Sequence, residues 1–223
     1  MADAGALFLS LKLAGLTTLV LLLLGLPLAW WLARNRHPVR ALIEAVVALP
    51  LVLPPTVLGF YLLVAFSPTG SVGHWIAALG GPPLVFSFTG LVVGSCLYSL
   101  PFMVQPLQTQ FAALDRRSLE AAATLGAAPL DRFFSVILPQ SRGGLLTACV
   151  LTFAHTLGEF GVVLMIGGNI PGQTRVASIA IFDQVEGLNY AAANHLSLIL
   201  LGVSFGLLLA VYLLKRRWSE AMS

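Results

Sequence analysis

Five runs of apolar residues, near 6–33, 44–66, 84–108, 141–166 and 195–214, dominate this 223-residue chain. Each reaches the roughly 20 residues that a helix needs to cross a bilayer. In hydrocarbon the backbone has no water to bond, so every run must satisfy its own N–H and C=O groups as a helix. Charge supports the same reading. Only 9% of the residues are charged, against about a quarter in a soluble domain, too few to cover a water-facing surface. The expected fold class is all-α, a polytopic helical membrane protein that forms one transmembrane domain over residues 1–223.

The loops set the orientation. Arg34, Arg36 and Arg40 follow the first run, and Arg116, Arg117, Arg132 and Arg142 lie between the third and fourth. Lys215, Arg216 and Arg217 follow the fifth. Ten of the twelve Lys and Arg residues thus occupy alternate loops, which the positive-inside rule assigns to the cytoplasm. The N-terminus is expected outside and the C-terminus inside, as five spans require. Trp30, Trp31 and Trp218 stand where interfacial anchors belong. The first run lacks the basic leader of a signal peptide and exceeds its short apolar core, so it is expected to remain as the first span. Cys96 and Cys149 lie inside apolar runs, without the spacing of a disulfide framework or a metal site.

Two spans are irregular. The second reads LPLVLPPTVLGFYLL, with Pro50, Pro54 and Pro55 inside it. Proline removes a donor and clashes with the preceding turn, so a kink or a break is expected there. Pro101 and Pro106 sit near the inner end of the third span. Such breaks are either static kinks satisfied by neighbouring helices or the lining and hinges of a pathway. Outside, residues 67–83 are rich in Gly and Pro and should hold one short helix. Residues 167–194 open with Gly167, Gly168, Pro171 and Gly172 and continue as an amphipathic helix from Arg175 to about Glu186. An ordered external segment suggests a partner on that side.

The inner loop, 115–140, carries its own punctuation. Ser118 is expected to cap a helix with Glu120 in its first turn. Ala121 to Ala123 favour helix, and their small side chains permit close approach. Gly126 suits the left-handed position that ends a helix. Pro129 suits the first turn of the next, which carries Phe133, Phe134, Val136, Ile137 and Leu138 and stops near Pro139. This second helix has more apolar surface than a free loop tolerates. The Ala-rich helix reads as a knob for a partner's pocket, with a helix lying on the membrane surface as the alternative.

Glu120-Ala121-Ala122, Gly126 and Val136-Ile137-Leu138-Pro139 together resemble the EAA motif of ABC importer permeases, with Val136 in place of the usual isoleucine. The resemblance implies a type I ABC importer permease fold. It implies that Glu120, Ala121, Ala122, Gly126, Ala127, Leu138 and Pro139 meet a separate ATP-binding subunit in the cytoplasm. A second stretch, HTLGEFGVVLMIGGNIPGQTR from His155 to Arg175, is similar to oxyanion importer permeases, where GEFG followed by GNIPGQT recurs. The molybdate and tungstate permeases match best, and SLKLAGLTTL and LPLVLPPTVLG extend the similarity. The implied function is the permease subunit of an ATP-driven molybdate or tungstate importer in the bacterial inner membrane. It would work as a homodimer served by an external or periplasmic oxyanion-binding protein. Sulfate/thiosulfate permeases share GEFG and are the alternative.

An ionisable group inside a membrane is a functional candidate by default, and Glu159 is one. It is expected either to accept hydrogen bonds from backbone or hydroxyl groups and fix packing, or to shape a gate. Gly158 and Gly161 beside it allow close helix approach, and Pro54 and Pro55 complete the pathway or packing candidates. His155, one turn earlier on the same face, would give only two metal ligands with Glu159, so neither metal nor cofactor is expected. The spans hold no Arg/Lys cluster of the kind an oxyanion site wants, which assigns selection to the binding protein. Asn169 and Arg175 are the candidates to touch it, although Arg175 reads equally well as a solvated charge. There is no G-x-x-x-x-G-K-[ST] loop, so the chain is not expected to be an enzyme, and ATP hydrolysis falls to the separate subunit. The other partners are a second permease copy and membrane lipid, with no nucleic acid. An ATP-independent secondary transporter would need inverted repeats and more charged intramembrane groups. A membrane protease would need a Ser/His pair or HExxH. Neither pattern is present.

Overall fold

The computed structural model describes the backbone of residues 2–220. The side chains of residues 2, 3, 116 and 214–220 fall outside the described set, and with them the anchor expected at Trp218. The described residues hold helices and no strand. In chain order they are α1 (Ala2–Arg34), α2 (Val39–Val52), α3 (Pro55–Phe66), α4 (Ser71–Ala78) and α5 (Phe88–Ala112), followed by α6 (Arg116–Thr124) and α7 (Pro129–Gln140). The last four are α8 (Arg142–Leu157), α9 (Gly161–Gly167), α10 (Ala177–Glu186) and α11 (Tyr190–Glu220). Four stretches are long and apolar enough to cross a membrane: Ala4–Arg34, Pro55–Ala78, Phe88–Ala112 and Tyr190–Leu213. The pair α7–α8, bent by 75°, gives up to a fifth.

The prolines act unequally. Pro54 and Pro55 offer no N–H to the carbonyls of Pro50 and Leu51, so α2 cannot continue. Leu53 is extended (φ −74°, ψ 135°), and α3 restarts with Pro55 in its first turn, where a missing N–H costs nothing. Pro101 and Pro106 leave α5 helical throughout. The fourth expected span, 141–166, also divides: α8 ends at Leu157, Phe160 is non-helical (φ −130°, ψ −58°), and α9 starts at Gly161. The short helix expected within 67–83 is present as α4, and the helix expected from Arg175 begins two residues later as α10.

Helix α5 is the centre of the bundle, packed chiefly on α1 and α8. More than half of its apolar window is buried (56%), against 6% for α11. One buried cluster joins Leu32, Met103, Leu107, Phe111 and Ile137, with Trp30, Leu119 and Phe133 packed against it. Burying side chains of this size contributes about 1.5–3 kcal/mol each in a water reference. In a membrane the gain comes from close packing instead. On the other side of the molecule, Ser10 Oγ accepts a hydrogen bond from Ala177 N (2.7 Å) and donates to Ala6 O (3.0 Å), tying α10 to α1.

Candidate functional site

Helix α6 is capped by Asp115, whose side chain accepts from Arg117 N at 3.0 Å. The cap expected at Ser118 is therefore displaced by three residues, and Glu120 lies beyond the first turn. Asp115 wins because it directly precedes the helix and its carboxylate reaches the free N–H of the second helical residue. The other end follows expectation. Gly126 has φ +84°; its N–H donates to Ala123 O (3.0 Å), and Ala127 N donates to Ala122 O (3.1 Å). This paired closure is the Schellman motif. It leaves Glu120, Ala121, Ala123 and Gly126 exposed, with Ala122 and Ala127 half-buried.

Leu125, which the sequence reading did not single out, is 88% exposed at the tip of this turn. Its signal was available: a leucine directly before a helix-ending glycine in a polar loop has no core to enter. Pro129 takes the first position of α7 as expected, and α7 has a π-helical turn at Phe133–Ile137 before running through Leu138 and Pro139 to Gln140. Trp30 fastens this segment to the bundle. Its ring meets Phe111 edge-on at 5.4 Å and Phe133 at 6.1 Å, a geometry favoured by the ring quadrupoles.

The second group of candidates surrounds the two helix breaks. Gly161 meets Pro55 so closely that a Cβ there would stand 2.7 Å from the proline Cβ. The break in the second span therefore lies directly against the break in the fourth. Around them is a cavity of about 510 Å³ lined by Pro55, Thr56, Tyr98, His155, Gly158 and Glu159, among others. A Cβ added at Gly158 would meet only carbonyls of its own turn, at 3.7 and 3.9 Å, so of the two glycines Gly161 is the one where another helix leaves no room for a side chain.

Glu159 and His155 do not share a helix face, because α8 stops before Glu159. The His155 ring goes to α5: its Nδ1 is 2.9 Å from Ser99 Oγ and its ring stacks on Phe102 at 3.9 Å. Glu159 is 4% exposed. The Ser95 hydroxyl neighbours it, yet neither carboxyl oxygen completes a hydrogen bond among the described residues. Of the donors expected to fix its packing, the Ser95 hydroxyl is the one beside the carboxyl. Its backbone is used as well: Ser178 Oγ donates to Glu159 O at 2.6 Å.

On the loop between α9 and α10 Asn169 and Arg175 are brought together. Arg175 Nε donates to Asn169 Oδ1 at 2.5 Å, and Asn169 Nδ2 donates to Asp183 Oδ1 at 2.9 Å. The Arg175 guanidinium lies 3.4 Å from the Asp183 carboxylate. Thr174, fully buried, donates to Gly167 O at 2.7 Å and closes the base of the loop. Pro171, Gly172 and Gln173 are left exposed at its tip. Among the described residues no group of three or more His, Cys, Asp or Glu could hold a metal.

The chain is thus a helical bundle with a capped, Ala-rich helix exposed at one end and a mainly apolar cavity, holding His155 and Glu159, where two helix breaks meet. The chain belongs to the family of binding-protein-dependent transport system inner membrane components, whose profile matches residues 25–220. It is accordingly a multi-pass protein of the inner membrane and an ABC transporter permease, a membrane subunit without an enzymatic role. Within that family it is 56% identical to the molybdenum transport system permease protein ModB of Azotobacter vinelandii, over 99% of this chain and 97% of that one. It is 36% identical to the sulfate transport system permease protein CysT of Escherichia coli, over 88% of this chain and 70% of that one. Its fold matches a bacterial alginate ABC transporter solved in complex with an alginate-pentasaccharide-bound periplasmic protein (TM-score 0.78, 18% identity, 96% of this chain and 78% of that one).

Proposed function

We propose that this chain, as one transmembrane domain over 1–223, is the permease subunit of an ATP-driven importer of molybdate or its close analogue tungstate. The observation that carries the substrate is the 56% identity to a molybdenum permease over almost the full length of both chains. The sulfate permease match is lower and covers less of each chain. Two copies form the passage, and an ATP-binding subunit docks in the cytoplasm on Glu120, Ala121, Ala122, Gly126 and Ala127. Leu138 and Pro139 join that segment to the bundle. The exposed Ala face and the Schellman turn support this reading, since small side chains and a fixed backbone suit insertion into a cleft.

The N-terminus lies outside, as the distribution of basic residues favours. An oxyanion-binding protein docks on the outer face, where Asn169 and Arg175 hold the loop that presents Pro171–Gln173. The anion passes the breaks at Pro54–Pro55 and Gly158–Gly161. Broken helices at membrane depth are tolerated where they line a cavity, and the cavity there contains Glu159. In this reading Glu159 helps to shape a gate beside the N-terminus of α3.

The test is reconstitution of the full chain with a candidate ATPase and binding protein, following labelled molybdate in competition with tungstate and sulfate. Uptake that requires both partners and ATP, and that sulfate fails to inhibit, is expected. Uptake without ATP, or inhibition by sulfate at equal concentration, overturns the function or the substrate respectively.

A further inference from the structure

Helix α10 touches both the loop from Gly167 to Arg175 and the break between α8 and α9. The loop is stiff. The Ile170 carbonyl accepts from the N–H groups of Gln173, Thr174 and Arg175 at 3.0–3.1 Å, and Ile170 N donates to Thr174 Oγ1 at 3.2 Å. Asp183 of α10 holds both Asn169 and Arg175. Loop and helix therefore form one unit, with Val176, Ala177, Ile179 and Ala180 buried behind it.

The same helix grips the break at two points. Ser178 Oγ donates to Glu159 O at 2.6 Å. One turn further on, the Phe182 ring meets the Phe160 ring at 5.0 Å. Residues 178 and 182 share a helix face, and each holds one of two consecutive residues that line the 510 Å³ cavity. A serine or threonine hydroxyl in a helix commonly bonds back to the carbonyl four residues earlier, as Ser10, Thr18 and Thr147 do. Ser178 instead crosses to a residue 19 positions earlier in the chain.

We propose that Ser178 is a positioning residue for transport. Its bond to Glu159 O, backed by the Phe160–Phe182 ring pair, carries displacement of the Gly167–Arg175 loop to the cavity at the break. This rests on the function proposed above, in which the binding protein docks on that loop and the cavity belongs to the passage. Docking moves the loop and α10 together, and the hydrogen bond turns Glu159 and Phe160 with them. The covalent route through α9 reaches Glu159 only across the non-helical Phe160, where backbone rotation absorbs motion. The bond from Ala177 N to Ser10 Oγ gives α10 a fixed point on α1.

The experiment reconstitutes the full chain in nanodiscs with a candidate ATPase and binding protein, and follows ATP hydrolysis as binding protein is added. Ser178→Ala should lower maximal stimulation roughly 2- to 10-fold, the range that one neutral hydrogen bond supplies. The basal rate, and the affinity for binding protein measured without nucleotide, should remain at wild type. Ser178→Thr keeps the hydroxyl and should restore stimulation. Stimulation of Ser178→Ala equal to wild type overturns the proposal, as does an equal loss in Ser178→Thr or a loss of affinity that accounts for the whole effect. A wild-type complex that binding protein fails to stimulate overturns the underlying function too, so the two failures are distinct. Hydrogen exchange in the wild type stands if Ser178→Ala does not fold. Docking should change exchange at residues 158–161 together with 173–178, and a change confined to the loop overturns the proposal.

Discussion

Gly126 holds a backbone conformation that side-chain chemistry alone can test. At φ +84° an L-residue with a Cβ is strained by about 1–2 kcal/mol. An added Cβ meets nothing within 4 Å, so the cost at this position is conformational and not a clash. In the free loop the strain can relax by opening the two hydrogen bonds at Ala122 and Ala123, and docking must then restore the turn. The strain therefore appears in the docking equilibrium, as about 5- to 30-fold weaker binding of the ATPase subunit for Gly126→Ala, at 1.4 kcal/mol per tenfold. Asparagine enters the left-handed region more readily than other residues, and a β-branched residue enters it least.

The expected affinity order at position 126 is thus Gly, Asn, Ala, Val. The assay is titration of the ATPase subunit against the permease in nanodiscs, reading bound fraction and ATPase stimulation. Gly143→Ala, at a helical glycine with open space around it, should bind as wild type. Two results would refute the reasoning. Val binding as tightly as Gly removes any role for the turn. Asn losing as much as Val means that added bulk at the interface, not backbone strain, decides the outcome.

Other changes separate the remaining roles. Glu120→Lys reverses an exposed charge on α6 and should abolish ATPase stimulation while leaving membrane insertion intact; ATP-dependent uptake at the wild-type rate would count against docking there. Gly161→Val drives a side chain into Pro55 and should lower stability by about 1–3 kcal/mol, as overpacking does, whereas Gly158→Ala should be nearly neutral; thermal melting in detergent distinguishes them. Glu159→Gln, of equal size without the ionisable carboxyl, should change anion uptake at unchanged stability, read by labelled-anion uptake and thermal melting; uptake at the wild-type rate would count against a gating role. A double-mutant cycle on Arg175 and Asp183 should give a coupling of about 0.2–1 kcal/mol, the usual size for a partly exposed pair, with binding-protein affinity falling in both single variants.

The parts legible in the sequence are those with a local cause. Gly126 and Pro129 announced their backbone positions because left-handed φ and a missing N–H are properties of single residues. Pro54 and Pro55 announced a break for the same reason. The fourth span gave no such signal. It breaks between Leu157 and Gly161 without any proline, and the cause is tertiary: Gly161 must lie against Pro55, and Ser178 takes the carbonyl of Glu159. Periodicity placed His155 and Glu159 on one face on the assumption that the helix continued.

The same distinction applies to the two polar candidates. Arg175 looked like a free external charge because its partners, Asn169 and Asp183, become neighbours only once the loop closes over buried Thr174. Glu159 reads as a packing group because buried carboxyls ordinarily find donors; its backbone carbonyl accepts from Ser178, and the Ser95 hydroxyl is the donor beside its carboxyl. A buried carboxyl with one hydroxyl beside it, at the meeting point of two broken helices, adds little to stability, since burying a polar group with few partners costs free energy. Its place in the cavity between the two breaks is the reason the isosteric Gln substitution is expected to change transport and not the fold.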